Sequence, residues 1–312
     1  MTSPLVSIII TNYNYGCYLG KAIDSALNQT YPHTEIIVVD DGSTDNSREI
    51  IASYGKQVIS VFKQNGGQAS AFNQGFAVSK GDIICFLDSD DIFTPIKMEE
   101  VVKTFKECQD IGWCFHHLCL VNISESFAKH NDELKNEKVN IVSRENIDFR
   151  GEIKKAKLPN FVPATSGLCF SRSLLNQILP MPEAEGVSIS DLYVKYIALA
   201  LSKGCVINGN LAIQGIHGNN AYTCKSTIEK QKIYGKIDIL TAYWIRVKFP
   251  ELAKTTNKLL ARGIGSYFQS GSIELHYKKT INTYLFTVSL AERINIIIKA
   301  FYYYLKFWVR LA

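Results

Sequence analysis

The chain has 312 residues, room for one large α/β domain or a domain with an added C-terminal module. Apolar residues make up 46% and charged residues 20%, which excludes a disordered or low-complexity chain. A net charge of +5, with no RNP-like or zinc-finger pattern, gives no case for a nucleic-acid partner; a mildly basic surface fits anionic lipids or phosphate-bearing ligands.

Ser7 to Thr11 is a short β-branched apolar run and predicts a buried strand. The polar turn Asn12-Tyr13-Asn14-Tyr15-Gly16 follows, after which Leu19, Ala22, Ile23, Ala26 and Leu27 recur at helical spacing. Glu35 to Val39 predicts a second buried strand, ending in Asp40-Asp41-Gly42-Ser43-Thr44-Asp45. Ser43, Thr44 or Asp45 is placed to cap a helix running to about Tyr54. Gln57 to Phe62 predicts a third strand. Gly66-Gly67 opens a helix with Ala69, Phe72 and Phe76 on one face, and Gly81 ends it. Asp82 to Leu87 predicts a fourth strand, ending in Asp88-Ser89-Asp90-Asp91. Strands alternating with helices imply crossovers and a doubly wound, mainly parallel α/β sheet.

The second half is less regular. Trp113 to Val121, Ser166 to Phe170 and Val206 to Ile216 predict strands, and Asp191 to Leu201 predicts a helix. Residues 125–160 read as polar loop with a helix near Glu145. From Thr227 the pattern is helical to the end. In the last segment Glu292, Asn295, Lys299, Lys306 and Arg310 form a narrow polar stripe, and Ile294, Ile297, Ile298, Phe301, Tyr304, Leu305, Trp308 and Leu311 cover the rest. The cations rule out a spanning helix. Two placements fit: the membrane interface, or packing on the protein or in a dimer contact.

The eight cysteines are scattered without a C-x-x-C pair, which points to a reducing compartment. The N-terminus leads straight into a strand, so no targeting peptide is expected. The expected location is the cytoplasm, with the inner face of the membrane as the natural extension of the C-terminal pattern.

Three polar clusters follow three strands of the inferred sheet: Thr11 to Asn14, Asp40 to Ser43, and Asp88 to Asp91. In open parallel sheets ligands bind beyond the carboxyl ends of the strands. Asp40 and Asp45 taken alone also read as turn formers or caps. Three carboxylates within Asp88 to Asp91 are an expensive way to make a turn. A divalent cation carrying phosphates would offset their repulsion. There is no Walker-A Lys and no Gly-rich phosphate loop to do so instead.

These motifs resemble the family 2 glycosyltransferases of the GT-A fold, a family of inverting enzymes that use nucleotide-diphospho-sugars. The resemblance rests on the opening strand with T-N-Y-N, the V-D-D-G-S-T-D-x-S run, the N-x-G-x-x-x-A-x-N-x-G helix and the L-D-S-D-D motif, in that order. It covers residues 4–125 and, more loosely, reaches about residue 222. It implies a GT-A domain over 1–222, with a nucleotide-binding half (1–125) and an acceptor half (126–222), followed by a helical region over 223–312. It also implies that Thr11 and Asp41 meet the base and ribose, that Tyr13 and Asp40 line the same pocket, and that Asn73 is a donor-site residue. Asp88-Ser89-Asp90 would be the D-x-D motif, with Asp90 the ligand of Mg²⁺ or Mn²⁺ and Asp88 nearer the ribose. Asp191 would be the general base, although Ser190 replaces the acid that commonly precedes it. His217, in a segment resembling R-x-H-G-x-N but with Gly215 at the Arg position, would lie near the diphosphate or the metal.

The implied partners are a UDP-sugar before GDP or dTDP donors, and a glycan, lipid-linked or protein acceptor. Two other readings stay open. A nucleotidyltransferase would carry a Gly-rich loop with a basic residue after the first strand, and Thr11 to Gly16 has neither Arg nor Lys. A degenerate nucleotide-sugar-binding scaffold would explain Ser190 and Gly215.

Overall fold

The computed structural model describes residues 3–122, 143–159, 163–183, 189–218, 220, 225–269, 271 and 273–311, with 307–311 as backbone only. Segment 125–142, Ser188, Cys224 and the side chains of Trp308, Arg310 and Leu311 lie outside that description.

Strands β1 (Val6–Asn12), β2 (Thr34–Asp40), β3 (Ile59–Phe62) and β4 (Ile83–Asp88) pair in the order β3-β2-β1-β4, all parallel. Helices α1 (Gly16–Leu27), α2 (Ser47–Ser53) and α3 (Gly67–Val78) make the crossovers. The continuous apolar runs in β1 and β2 have a direct cause: both faces of this half-sheet are covered, so residues pointing either way must be apolar. Ile8 and Ile10 share a core with Leu19, Ile23 and Met98, while Ile9 joins Phe72 and Phe86 on the other face. Gly75 lets α3 approach β1, because a Cβ there would fall 2.4 Å from the Ile9 side chain.

Beyond β4, the strands β5 (Asp91–Phe93), β6 (Trp113–Asn122), β7 (Ser143–Ile147), β8 (Leu168–Ser171) and β9 (Gly204–Ile216) continue the sheet as β8-β6-β9. β8 runs antiparallel to β4 and β6, and β9 runs parallel to β6. β5 and β7 both pair antiparallel along β9. The sheet is therefore mixed, and mostly parallel by paired length. The helix expected near Glu145 is instead strand β7. Its Ser-Arg-Glu-Asn-Ile sequence carries no apolar alternation, but pairing with β9 fixes it, as do the bonds of Arg144 to Glu100 and Thr104 on helix α4 (Lys97–Glu107). Tertiary pairing overrides local preference at such an edge. Helices α5 (Arg150–Lys154), α6 (Arg172–Ile178) and α7 (Leu192–Leu201) complete this half.

The C-terminal region is helical as expected: α8 (Thr227–Lys248), α9 (Ala253–Gln269), α10 (Leu275–Phe286) and α11 (Leu290–Leu311). A capping box between Ser226 and Glu229 starts α8. Leu240, Leu260, Tyr284 and Ile296 belong to the same core as Ile9 and Phe86, so apolar packing runs unbroken from the sheet into these helices. α11 packs by one face, where Ile296 and Ala300 are buried and Gly265 of α9 touches Ala300. Ile294, Ile297, Ile298, Phe301 and Leu305 on its other face are exposed. No helix among the described residues is long and apolar enough to cross a membrane.

Candidate active site

The loops after β1 and β2 are tied to each other by short polar side chains. Asn12 Nδ2 donates to Asp40 Oδ1 (3.0 Å) and Ser43 Oγ (3.1 Å). The Asn14 and Gly16 amides donate to Ser43 Oγ (2.9 Å) and Asp45 Oδ2 (2.8 Å), and Thr44 N donates to Asn14 Oδ1 (2.7 Å). Asp45 also takes the Ser47 amide (3.0 Å) in a local turn just before α2, but the N-cap position itself is Asn46, whose side chain makes no capping bond, so none of Ser43, Thr44 and Asp45 is the cap. Gly42 sits at φ +81°, and a Cβ there would meet the Asn65 backbone at 2.7 Å.

Within this lattice, Thr11, Tyr13 and Asp41 border a cavity of ≈ 330 Å³ whose floor is Asp88, Ser89 and Asp90. Asp41 accepts the amides of Gly66 (2.9 Å) and Gly67 (2.7 Å), which open α3, and pairs with Lys63. Two residues expected at this cavity lie elsewhere. Asp40 is fully buried and spends its carboxylate on Asn12, the Ser43 amide and Arg48, because it closes the turn it belongs to. Asn73 faces away and brackets Met181, donating to its carbonyl (2.8 Å) and accepting from its amide (2.7 Å).

The carboxylate turn is braced from beneath. Ser166 Oγ donates to Asp91 Oδ2 (2.6 Å) and accepts the Asp88 amide (3.1 Å), while Asp91 Oδ1 takes the Gly215 amide (3.1 Å). Buried Lys97 donates to the Ser166 carbonyl (2.7 Å) and lies over the Phe93 ring. Asp91 is thus a brace, while Asp88 and Asp90 face the cavity. The turn after β9 brings His217 Nε2 to 3.1 Å and Asn220 Nδ2 to 3.0 Å from Asp90 Oδ2. Asn220 also closes its own turn on the Gly215 carbonyl (2.9 Å), and Tyr18 stacks on the His217 ring at 4.4 Å.

Burial pushes the Asp88 carboxyl up to about 8, with Asp90 and Asp191 adding to the shift. Burial also raises Asp90, against the pull of His217 and Asn220, and raises Asp91 well above the carboxylate range. Burial, then Asp90 and Asp88, lifts the Tyr15 phenol to about 12. Among the described residues no Lys or Arg pairs with Asp88 or Asp90, and no group of three or more His, Cys, Asp and Glu forms a complete metal cage. A hard divalent cation fits this donor set: it would neutralise the crowded carboxylates and take its remaining oxygens from a bound phosphate. Asp90 and His217 would be the residues to hold it.

A second cavity, ≈ 570 Å³, adjoins the first and shares Gln68, Asp88 and Gln214 with it. Asp191 lines it from the start of α7, with its Oδ2 accepting from Thr165 Oγ1 (3.2 Å) and paired to Lys195 Nζ (2.7 Å). The sequence reading named Asp191 but missed Lys195, which the spacing of four on one helix makes findable. It also missed Asn220, within the His-Gly-Asn-Asn turn already singled out. Gln68, Gln214 and Ser166 carried no signal.

Residues 7–179 match the model of glycosyl transferase family 2. An uncharacterized glycosyltransferase of Nostoc sp. is 34% identical over 232 residues, 73% of this chain and 70% of that one. One of Rickettsia typhi is 41% identical over 143 residues, and there the match spans 45% of either chain. Among solved structures, S. aureus TarS 1-349 in complex with UDP-GlcNAc is similar in fold, with a TM-score of 0.58 at 19% identity over 94% of this chain and 79% of that one. The mannosyltransferase PcManGT from Pyrobaculum calidifontis, in complex with GDP-Man and Mn²⁺, gives 0.52 at 18% identity over 98% and 88%. With a GT-A-type sheet and carboxylates gathered at its strand ends, the chain belongs to glycosyltransferase family 2.

Proposed function

We propose that this glycosyltransferase moves a sugar from a nucleotide-diphospho-sugar, a UDP-sugar before a GDP- or dTDP-sugar, to a hydroxyl acceptor with inversion. The observation that carries this is the meeting of two cavities at Asp88, with Asp90 and His217 on one side and Asp191 on the other. The nucleotide would lie against Thr11, Tyr13 and Asp41, with its diphosphate over Asp90. Mg²⁺ or Mn²⁺, if held there by Asp90 and His217, would supply Lewis-acid stabilisation of the leaving diphosphate. The sugar would then lie across Asp88 and Gln68, with its anomeric carbon facing the larger cavity.

Both partners of Asp191 fall on Oδ2, which leaves Oδ1 to take the acceptor proton. The acceptor oxygen forms the new bond to the anomeric carbon, the carbon–oxygen bond to the diphosphate breaks, and nucleoside diphosphate departs. Ser190, which replaces the preceding acid, accepts the Leu192 amide at its Oγ (3.3 Å) at the start of the helix. Asp191→Asn is expected to lower nucleoside-diphosphate release about 10²–10⁴-fold, the usual worth of a general base, with nucleotide affinity unchanged. Equal release by the variant and the wild type would remove Asp191 from the reaction.

The exposed face of α11 fits the interface of an anionic bilayer. Ile294, Ile297, Ile298, Phe301 and Leu305 are bordered by exposed Lys299 and Lys306. This would place the enzyme beside a lipid-linked glycan. Ile298→Ser with Phe301→Ser is expected to abolish co-sedimentation with phosphatidylglycerol vesicles. Retention on the vesicles would discard the membrane contact.

A further inference from the structure

The larger cavity is not built by the sheet domain alone. Its far wall comes from the C-terminal helices, with Gln231, Tyr234 and Asp238 on α8 and Arg262 and Ser266 on α9. Spacings of three, four and four keep each set on one helix face. Two glycines fix the distance between the helices: a Cβ on Gly235 would come within 3.0 Å of the Gly263 carbonyl, and one on Gly263 within 2.9 Å of the Gly235 carbonyl. The backbones therefore touch beside the cavity. Arg262 then links the wall to the helix that starts at Asp191. It donates to both oxygens of Asp238 (2.5 and 2.7 Å) and, at 3.5 Å, to the Tyr196 hydroxyl of α7.

The chemistry of the wall selects its ligand. The cations of this cavity are already paired, Arg262 with Asp238 on the wall and Lys195 with Asp191 opposite it. A cation already bound in this way is a poor hold for a phosphate. Gln214, Gln231 and Ser266 are left with side chains that make no hydrogen bond among the described residues, and Ile237 and Leu192 stand beside them. Neutral hydrogen-bonding groups interleaved with small apolar surface match a pyranose, which has hydroxyls around its rim and C–H faces above and below. An acyl chain would bury the amides and hydroxyls unpaired.

We propose that α8 and α9 form the acceptor subsite and that it holds a neutral, hydroxyl-rich sugar residue, with one hydroxyl delivered to Asp191. This deepens the transferase reading and rests on it. Free or at the end of a longer glycan or lipid-linked chain, the unit inside the cavity is a saccharide.

The test is saturation-transfer NMR on the full chain with Mg²⁺ and whichever of UDP, GDP or dTDP binds. The probes are the methyl glycosides of glucose, galactose, mannose and N-acetylglucosamine, with dodecyl phosphate as the contrasting probe. At least one glycoside is expected to receive saturation. Gln231→Ala should weaken it roughly 5-fold, the loss of one hydrogen bond, and Ser266→Leu should abolish it by filling the space. Nucleotide affinity should stay the same in both, which also shows that the variants are folded. Binding of dodecyl phosphate and of no glycoside would overturn the proposal, as would glycoside binding indifferent to Gln231→Ala. A wild-type protein that binds none of the nucleotides would instead bring down the transferase reading on which the subsite stands.

Discussion

The two cavities that meet at Asp88 have walls of different construction. Around the smaller one, loops at strand ends are held by side-chain hydrogen bonds among Asn12, Asn14, Asp40, Ser43 and Asp45, with little apolar packing. The far wall of the larger one is a pair of long helices whose apolar faces, Leu240 and Leu260 among them, continue the main core. The first kind of wall needs particular residues at particular places, so it leaves motifs in the sequence. The second needs only apolar spacing and small residues at the helix contact, so many sequences would build it. Substitutions should therefore damage function in the first wall and, at the apolar positions of the second, stability.

The largest effect is expected at Asp90. Lewis-acid assistance is worth several kcal/mol, so Asp90→Ala should lower turnover roughly 10²–10³-fold. Its metal-free thermal midpoint should not fall, because burial already disfavours the charged Asp90 and its charge weighs on Asp88 and Asp91. A large loss of stability would contradict the division between the walls. Leu260→Ala is the counterpart: a fully buried side chain whose loss should cost about 2–5 kcal/mol in denaturant unfolding, with nucleotide affinity retained in the folded fraction.

Asn73→Ala separates two accounts of one residue. As a bracket for Met181 it should cost about 1–3 kcal/mol of stability and leave the nucleotide dissociation constant unchanged. A selective loss of nucleotide binding would restore it to the donor site. The smallest effect is expected from Ser226→Ala, which removes half of a capping box and should cost about 1 kcal/mol. A much larger loss, read by thermal unfolding, would mean that the start of α8 carries more of the acceptor wall than its exposed position implies.

The same contrast explains what the sequence allowed one to read. The parallel half-sheet was legible because β1, β2 and β4 are apolar on both faces and end in polar clusters. The convergence of Thr11, Asp41 and Asp88 to Asp90 followed from the rule for strand ends. The turn residues could not be sorted by place, since an Asp that closes a turn and an Asp that borders a cavity look alike in a motif; Asp40 is fully buried in its own turn, while its neighbour Asp41 lines the smaller cavity. β7 was illegible because neither of its faces is buried, so no side of the strand demands apolar residues and no alternation results. The acceptor wall was illegible for a different reason. Gln231, Asp238 and Arg262 read as ordinary positions on amphipathic helices, and only tertiary packing brings them to the cavity that Asp191 lines.

The central claim is that Asp90 and its neighbours hold a nucleotide diphosphate through a divalent cation. The most direct measurement is calorimetric titration of UDP, GDP and dTDP into the full chain, with and without Mn²⁺, for the wild type and Asp90→Ala. The account predicts that one nucleotide binds, that binding requires Mn²⁺, and that the variant loses it. Binding that is the same with and without Mn²⁺ and survives Asp90→Ala, or no binding of any nucleotide by the folded wild type, would contradict it.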